Sequence, residues 1–138
     1  MSDPEITDLE ITNLLRKAKT IAVVGLSDKP WRPSFGVSEY MQSQGYRVIP
    51  VNPRVGETLG AHAYASLENV PEKIDIVNIF RRSEFAGPID DSAIRLGVGC
   101  IWMQEGVRDE QAAARARQAG ISVVMDRCIL KDHRRLLR

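Results

Sequence analysis

Thr20-Ile-Ala-Val-Val-Gly25 is the stretch on which the fold turns. It is short, apolar throughout and β-branched, the pattern of a strand buried on both faces, and it stops at a glycine. Downstream, the polar loop from Leu26 to Pro33 leads to Ser34, the predicted N-cap of a helix. Val37, Tyr40 and Met41 give that helix its apolar spacing, and Gly45 ends it. Upstream, Thr7-Asp-Leu-Glu10 is a capping box that opens an amphipathic helix to about Lys19.

Further out the alternation continues. Tyr46-Arg-Val-Ile-Pro-Val51 reads as a second strand, with Pro50 marking an edge or a bulge. Residues 52–72 read as irregular, with a short helix near Ser66–Val70. Asp75–Phe80, Cys100–Gln104 and Ile121–Met125 read as strands, separated by helices over Pro88–Leu96 and Asp109–Ala119. A short helix is expected from Leu130 to the end. Strands alternating with helices predict one α/β domain over residues 1–138, a Rossmann-like, doubly wound parallel sheet of about five strands.

The bulk numbers narrow the function. A chain of 138 residues with 43% hydrophobic and 27% charged residues can bury a core without staples. A net charge of +1 gives no global case for nucleic acid. The two cysteines, Cys100 and Cys128, fit neither a disulfide framework nor a zinc spacing. Met1-Ser-Asp-Pro-Glu5 lacks the basic and apolar start of a signal peptide, and no apolar run reaches the ~20 residues of a membrane span, so a cytoplasmic protein is expected.

In doubly wound sheets, ligands bind outside the C-terminal ends of the strands, where the strand order reverses. The first such end carries the most chemistry. Gly25 permits a tight turn, Ser27 and Ser34 offer hydroxyls, Lys29 and Arg32 add positive charge, and Gly36 lets a phosphate approach the backbone. Together these suit a pyrophosphate, although the turn is not G-x-G-x-x-G. At the second end, Asn52-Pro53-Arg54 replaces the acidic residue usual for NAD with a neutral one and an arginine. That fits a ligand phosphorylated on its ribose, which both NADP and coenzyme A are. At the third end, Phe80 and Arg81 with Arg82 suit an adenine and a phosphate.

Gln104, Glu105 and Gly106 form the fourth end, where Gln104 offers donor and acceptor and Gly106 permits close approach. Cys128, just past the last strand, is either a small hydrophobe or a thiol near the ligand. Cys100 and Trp102 read as core, Trp31 as a loop residue that could cover a ligand, and His62 and His133 as surface residues without metal partners.

As a set, Ala22-Val-Val-Gly-Leu-Ser-Asp28, Arg32-Pro-Ser34, Gly45-Tyr-Arg-Val-Ile-Pro-Val-Asn-Pro53, Asp75-Ile-Val-Asn-Ile-Phe-Arg81, Trp102-Met-Gln-Glu-Gly106 and Asp126-Arg-Cys128 resemble the small stand-alone CoA-binding proteins. Their domain is similar to the N-terminal domain of the succinyl-CoA synthetase α subunit. The resemblance implies a CoA site in which Gly25, Ser27, Lys29, Arg32 and Ser34 take the phosphates. Asn52 and Pro53 would lie along the nucleotide, Phe80 and Arg81 would flank the adenine or pantetheine, and Gln104 to Gly106 would close the far side. The synthetase's phosphorylated histidine and its ATP-grasp domain have no counterpart in this sequence, so the ligase reaction is not expected. The readings that follow are a non-catalytic CoA or acyl-CoA module (carrier, sensor or partner subunit), a small NAD(P) enzyme, and a thiol-redox protein using Cys128. A homodimer and an unidentified protein partner stay open.

Overall fold

The computed structural model describes residues 6–137; the Met1–Glu5 start read above lies outside the described residues. In chain order the elements are α1 (Asp8–Lys17), β1 (Thr20–Val24), α2 (Pro33–Ser43), β2 (Arg47–Val51), β3 (Glu57–Thr58), β4 (Ala61–His62), β5 (Ile76–Ile79), α3 (Ala86–Leu96), β6 (Cys100–Met103), α4 (Glu110–Gln118), β7 (Ser122–Val124) and α5 (Ile129–Leu137). Single 3₁₀ turns at Leu67–Asn69 and Ser83–Phe85 precede β5 and α3 respectively.

Five strands form a parallel sheet in the order β2-β1-β5-β6-β7, a Rossmann-like α/β architecture. The strands are apolar on both sides because helices cover both sides. Ala22, Val24, Val77, Ile79, Ile101 and Met103 face a core shared with Ala86 and Ala93 of α3 and with Ala112, Ala113 and Ala116 of α4. Ile21, Val23, Ile76, Cys100 and Trp102 face the other core, shared with Ile11 and Leu15 of α1, Met41 of α2 and Ile129 of α5. Trp102 is fully buried, and its indole N–H donates to the Arg127 carbonyl at 2.8 Å.

Pro50 sits on the edge strand β2, as read. The outer side of that edge is closed at its C-terminal end: the Tyr64 N–H donates to the Pro50 carbonyl at 3.0 Å, and the Asn52 N–H to the Tyr64 carbonyl at 2.8 Å. Three readings change. The segment read as irregular holds the two-residue hairpin β3–β4, too short to leave a periodic signal. Ser34 does not cap α2: the cap position is Arg32, Pro33 opens the helix, and no side chain bonds the first amides. His133 is not a surface residue. It is 5% exposed, with Nδ1 2.9 Å from the Tyr40 hydroxyl and edge-on contacts to the rings of Tyr40 and Tyr46. Burial holds its pKa below the ordinary imidazole value.

After β1 the chain passes to β2 on one side, then crosses back to β5 on the other. The connections therefore diverge between the C-terminal ends of β1 and β5, which opens a crevice there.

Candidate functional site

Gly25 lies at the floor of the crevice. Its φ is +92°, and a Cβ would stand 2.9 Å from the Phe80 carbonyl oxygen and 3.1 Å from Arg81 Cδ. Its N–H donates to the Val51 carbonyl at 2.8 Å, while the Phe80 N–H donates to the Val24 carbonyl at 2.9 Å. The glycine thus meets both the conformational and the steric demand of bringing three strand ends together.

The turn beyond it is braced from several elements. The Leu26 carbonyl accepts from Asn52 Nδ2 at 3.1 Å, and the Ser27 carbonyl from the Thr58 hydroxyl at 3.2 Å. Ser34 Oγ accepts the Ser27 N–H at 3.0 Å, and Ser27 Oγ accepts the Lys29 N–H at 3.0 Å. Both serine oxygens therefore hold the loop, and each hydroxyl keeps its one proton for a further acceptor. Asn52 also accepts the Arg54 N–H at 3.0 Å through Oδ1. Its side chain is a brace that sets the course of Arg54.

The cleft has two adjoining lobes. One, of about 740 Å³, is lined by apolar Val24, Val51, Leu67, Pro88 and Ile89, with Arg81 and Arg82 at its side. The other, of about 650 Å³, is lined by Ser27, Asp28, Lys29, Pro33, Ser34 and Phe80. Gly25, Arg32, Asn52 and Arg54 belong to both, so the two arginines stand where the lobes meet. Pro53 lines the first lobe.

Many cations outside this cleft are ion-paired, although Arg16, Lys17, Lys19, Lys73 and Arg134 have no ion pair among the described residues either. Arg47 pairs with Glu72, Arg115 with Asp91, Arg127 with Asp132, Lys131 with Glu105 and Arg135 with Asp8. The side chains of Lys29, Arg32 and Arg54 have no ion pair or hydrogen bond among the described residues. Arg81 lies over the Phe85 ring at 4.5 Å, and Arg82 has one loose pair with Glu84 at 3.6 Å.

The helix ends repeat the contrast. Thr7 caps α1, Asp109 caps α4, and Gln104 Oε1 accepts the first amide of α5 at 3.1 Å; each of these helices has a carboxylate in its first turn. Neither α2 nor α3 has a side-chain cap or a first-turn carboxylate, and residues of the first turns of both line the cleft. The Phe85 and Ala86 amides at the start of α3 are taken by the Arg82 and Ser83 carbonyls, and the Phe35 amide of α2 by the Arg32 carbonyl. What the two helix ends bring to the cleft is therefore the positive end of the helix dipole, which beside unpaired cations attracts anions.

Eleven of the residues singled out in the sequence thus meet in one cleft: Gly25, Ser27, Lys29, Arg32, Ser34, Asn52, Pro53, Arg54, Phe80, Arg81 and Arg82. The others stand outside its walls. Gly36, on α2, lines neither lobe, and a Cβ on it would meet no protein atom within 4 Å. Gln104 is 4% exposed and caps α5 instead of facing a ligand. Glu105 pairs with Lys131 at 3.0 Å. Gly106 takes φ +84° and donates its N–H to Asp126 Oδ1 at 2.7 Å, which makes it a turn residue. Cys128 is 7% exposed, next to the start of α5. Sequence reasoning missed Thr58, Leu67, Pro88, Ile89 and Ser92. No motif marks them, and only the strand order brings their segments to the cleft.

Asp90 on α3 was also missed. It is fully buried with both carboxylate oxygens unpartnered, and burial pushes its pKa up to about 7.

Comparison with known proteins gives a consistent picture. The family model described as "CoA binding domain" matches residues 19–134. The uncharacterized protein YneT of Bacillus subtilis is 44% identical over 124 residues, which span 90% of this chain and 92% of that protein. The structure of a hypothetical protein from Pyrococcus horikoshii OT3 matches with a TM-score of 0.93 at 34% identity, covering 100% of each chain. The α subunit of the ADP-forming acetate–CoA ligase II of Pyrococcus furiosus is 27% identical over 120 residues, 79% of this chain but only 26% of that subunit. No described helix is long and apolar enough to cross a membrane.

Proposed function

Because this chain belongs to the CoA-binding domain family, we propose that it holds coenzyme A in the cleft between β1 and β5 and acts as a binding module, a carrier or sensor, not a catalyst. The observation that carries the reading is the set of unpaired cations, Lys29, Arg32 and Arg54, gathered where the N-terminal ends of α2 and α3, free of first-turn carboxylates, reach the cleft. Coenzyme A is a flat base on a phosphorylated ribose, then a pyrophosphate, then a long arm. The apolar lobe at Val51, Leu67 and Ile89 suits the adenine, and Arg32 and Arg54 suit the phosphates. Arginine is the residue fitted to such anions, because its planar fork pairs with two oxygens at once.

The walls support a non-catalytic role. Their one carboxylate is Asp28, and they include no histidine or cysteine. Cys128, buried outside the walls, lacks the exposure that thiol exchange requires.

Calorimetric titration of the full chain with CoA, with NADP as competitor, tests the reading. Micromolar CoA affinity is expected, unaffected by modest NADP and about tenfold weaker in Arg32→Ala or Arg54→Ala, as loss of one charge-assisted contact implies. Preference for NADP, or CoA affinity indifferent to both arginines, would refute it.

A further inference from the structure

The cation site leaves Trp31 unexplained. It is 76% exposed, more than any other large apolar side chain described. Lys29 and Arg32 on either side of it line the cationic lobe, so the turn that carries Trp31 borders that lobe, while the exposed indole itself lies outside the lobe's walls. The Arg32 N–H closes a turn on the Lys29 carbonyl at 3.0 Å. Pro30 takes the second position of that turn, Trp31 the third, and Pro33 starts α2. Two proline rings fix φ on either side of the indole, so its backbone is held beside the lobe.

The cleft also has a direction. The apolar lobe at Leu67, Pro88 and Ile89 lies at one end, Arg32 and Arg54 stand where the lobes meet, and the polar lobe runs on to Ser27, Asp28 and Lys29, beside the turn that carries Trp31. A ligand matching that order has a flat base, then phosphates, then a second less polar arm. Coenzyme A with its adenine in the apolar lobe sends its pantetheine arm, and any group on the thiol, toward Trp31. Resting on the CoA reading above, we propose that Trp31 receives the acyl group at the end of that arm, so that the preferred ligand is an acyl-CoA with an apolar chain, not free CoA. Laying such a chain on an indole already displayed to water removes apolar surface from water on both partners.

The test titrates the full chain, Trp31→Ala and Trp31→Phe with CoA and with hexanoyl-CoA, and follows indole emission in parallel. Trp102, fully buried, supplies a constant background. Hexanoyl-CoA is expected to bind about tenfold tighter than CoA, the gain of burying one aliphatic chain on an aromatic ring. That preference should vanish in Trp31→Ala and largely survive in Trp31→Phe, and the emission should shift to the blue with hexanoyl-CoA. Equal affinities in the parent chain, or an undiminished preference in Trp31→Ala, overturn the assignment and leave the CoA site standing. If neither ligand binds, the CoA reading itself falls, and the assignment with it.

Discussion

Replacing Asp90 with asparagine should change how the stability of this protein depends on pH. Asp90 lies on the buried stripe of α3 with Ala86 and Ala93, facing the α4 side of the core. Burial is the largest influence on it and opposes its ionisation; of the charged groups around it, Arg115 favours ionisation, and Asp109 and Asp91 oppose it. Its pKa rises from the ordinary 3.8 to about 7. The folded state thus holds a proton that the unfolded state has released. The stability linked to that proton is complete below pH 3.8, declines as pH rises, and is gone above about 7. At about 1.4 kcal/mol per pH unit, the loss sums to about 4 kcal/mol, a large part of the 5–15 kcal/mol typical of a domain. Asparagine has nearly the same shape and does not titrate. Urea denaturation of both chains from pH 4.5 to 8 isolates the effect, because the other titrations cancel in the difference. Relative to the parent, Asp90→Asn should gain several kcal/mol across that interval, most of it below pH 7. A difference that stays constant with pH would refute the reasoning, because it would mean that the carboxylate ionises in the folded protein as readily as in water.

Two further outcomes follow from the turn after β1. Gly25→Ala meets both a φ of +92° and a Cβ 2.9 Å from the Phe80 carbonyl, so it should cost about 2–4 kcal/mol by thermal melting and abolish CoA binding at concentrations that saturate the parent. Thr58→Val removes the bond to the Ser27 carbonyl from a residue off the cleft walls; CoA affinity should fall about fivefold with little change in melting temperature, as loss of one positioning bond implies, and an unchanged affinity would mean that the turn holds its shape without that brace.

The sheet was legible because each strand announces itself. Ile21–Val24, Ile76–Ile79 and Cys100–Met103 are buried along their whole length, so their apolar runs carry no competing signal. The phosphate-side cluster was legible for a related reason: the strand-end rule picks out loops, and Lys29, Arg32 and Arg54 stand in two of them. Gln104 misled because its place at a strand end says nothing of which way its amide turns, and the unsatisfied first amide of α5 claimed it. Asp90 was hidden beside Asp91, a pair that reads as a solvated face. Only the helical phase, with Ala86 four residues before and Ala93 three after, shows that one of the two points inward. His133 was read as a surface residue because it lies near the terminus with no partner at metal-ligand spacing, yet its face of α5 meets Tyr40 and Tyr46.

The proline in β2 has a consequence for how copies of this molecule meet. A parallel sheet with a bare rim invites a neighbouring chain to extend its ladder, the first step toward fibrous aggregation. Here the rim residue Pro50 has no amide to offer, and its carbonyl is already taken by Tyr64. The opposite rim is β7, three residues long. Neither rim gives a long, open row of backbone groups, so growth of the sheet from molecule to molecule is disfavoured at both ends.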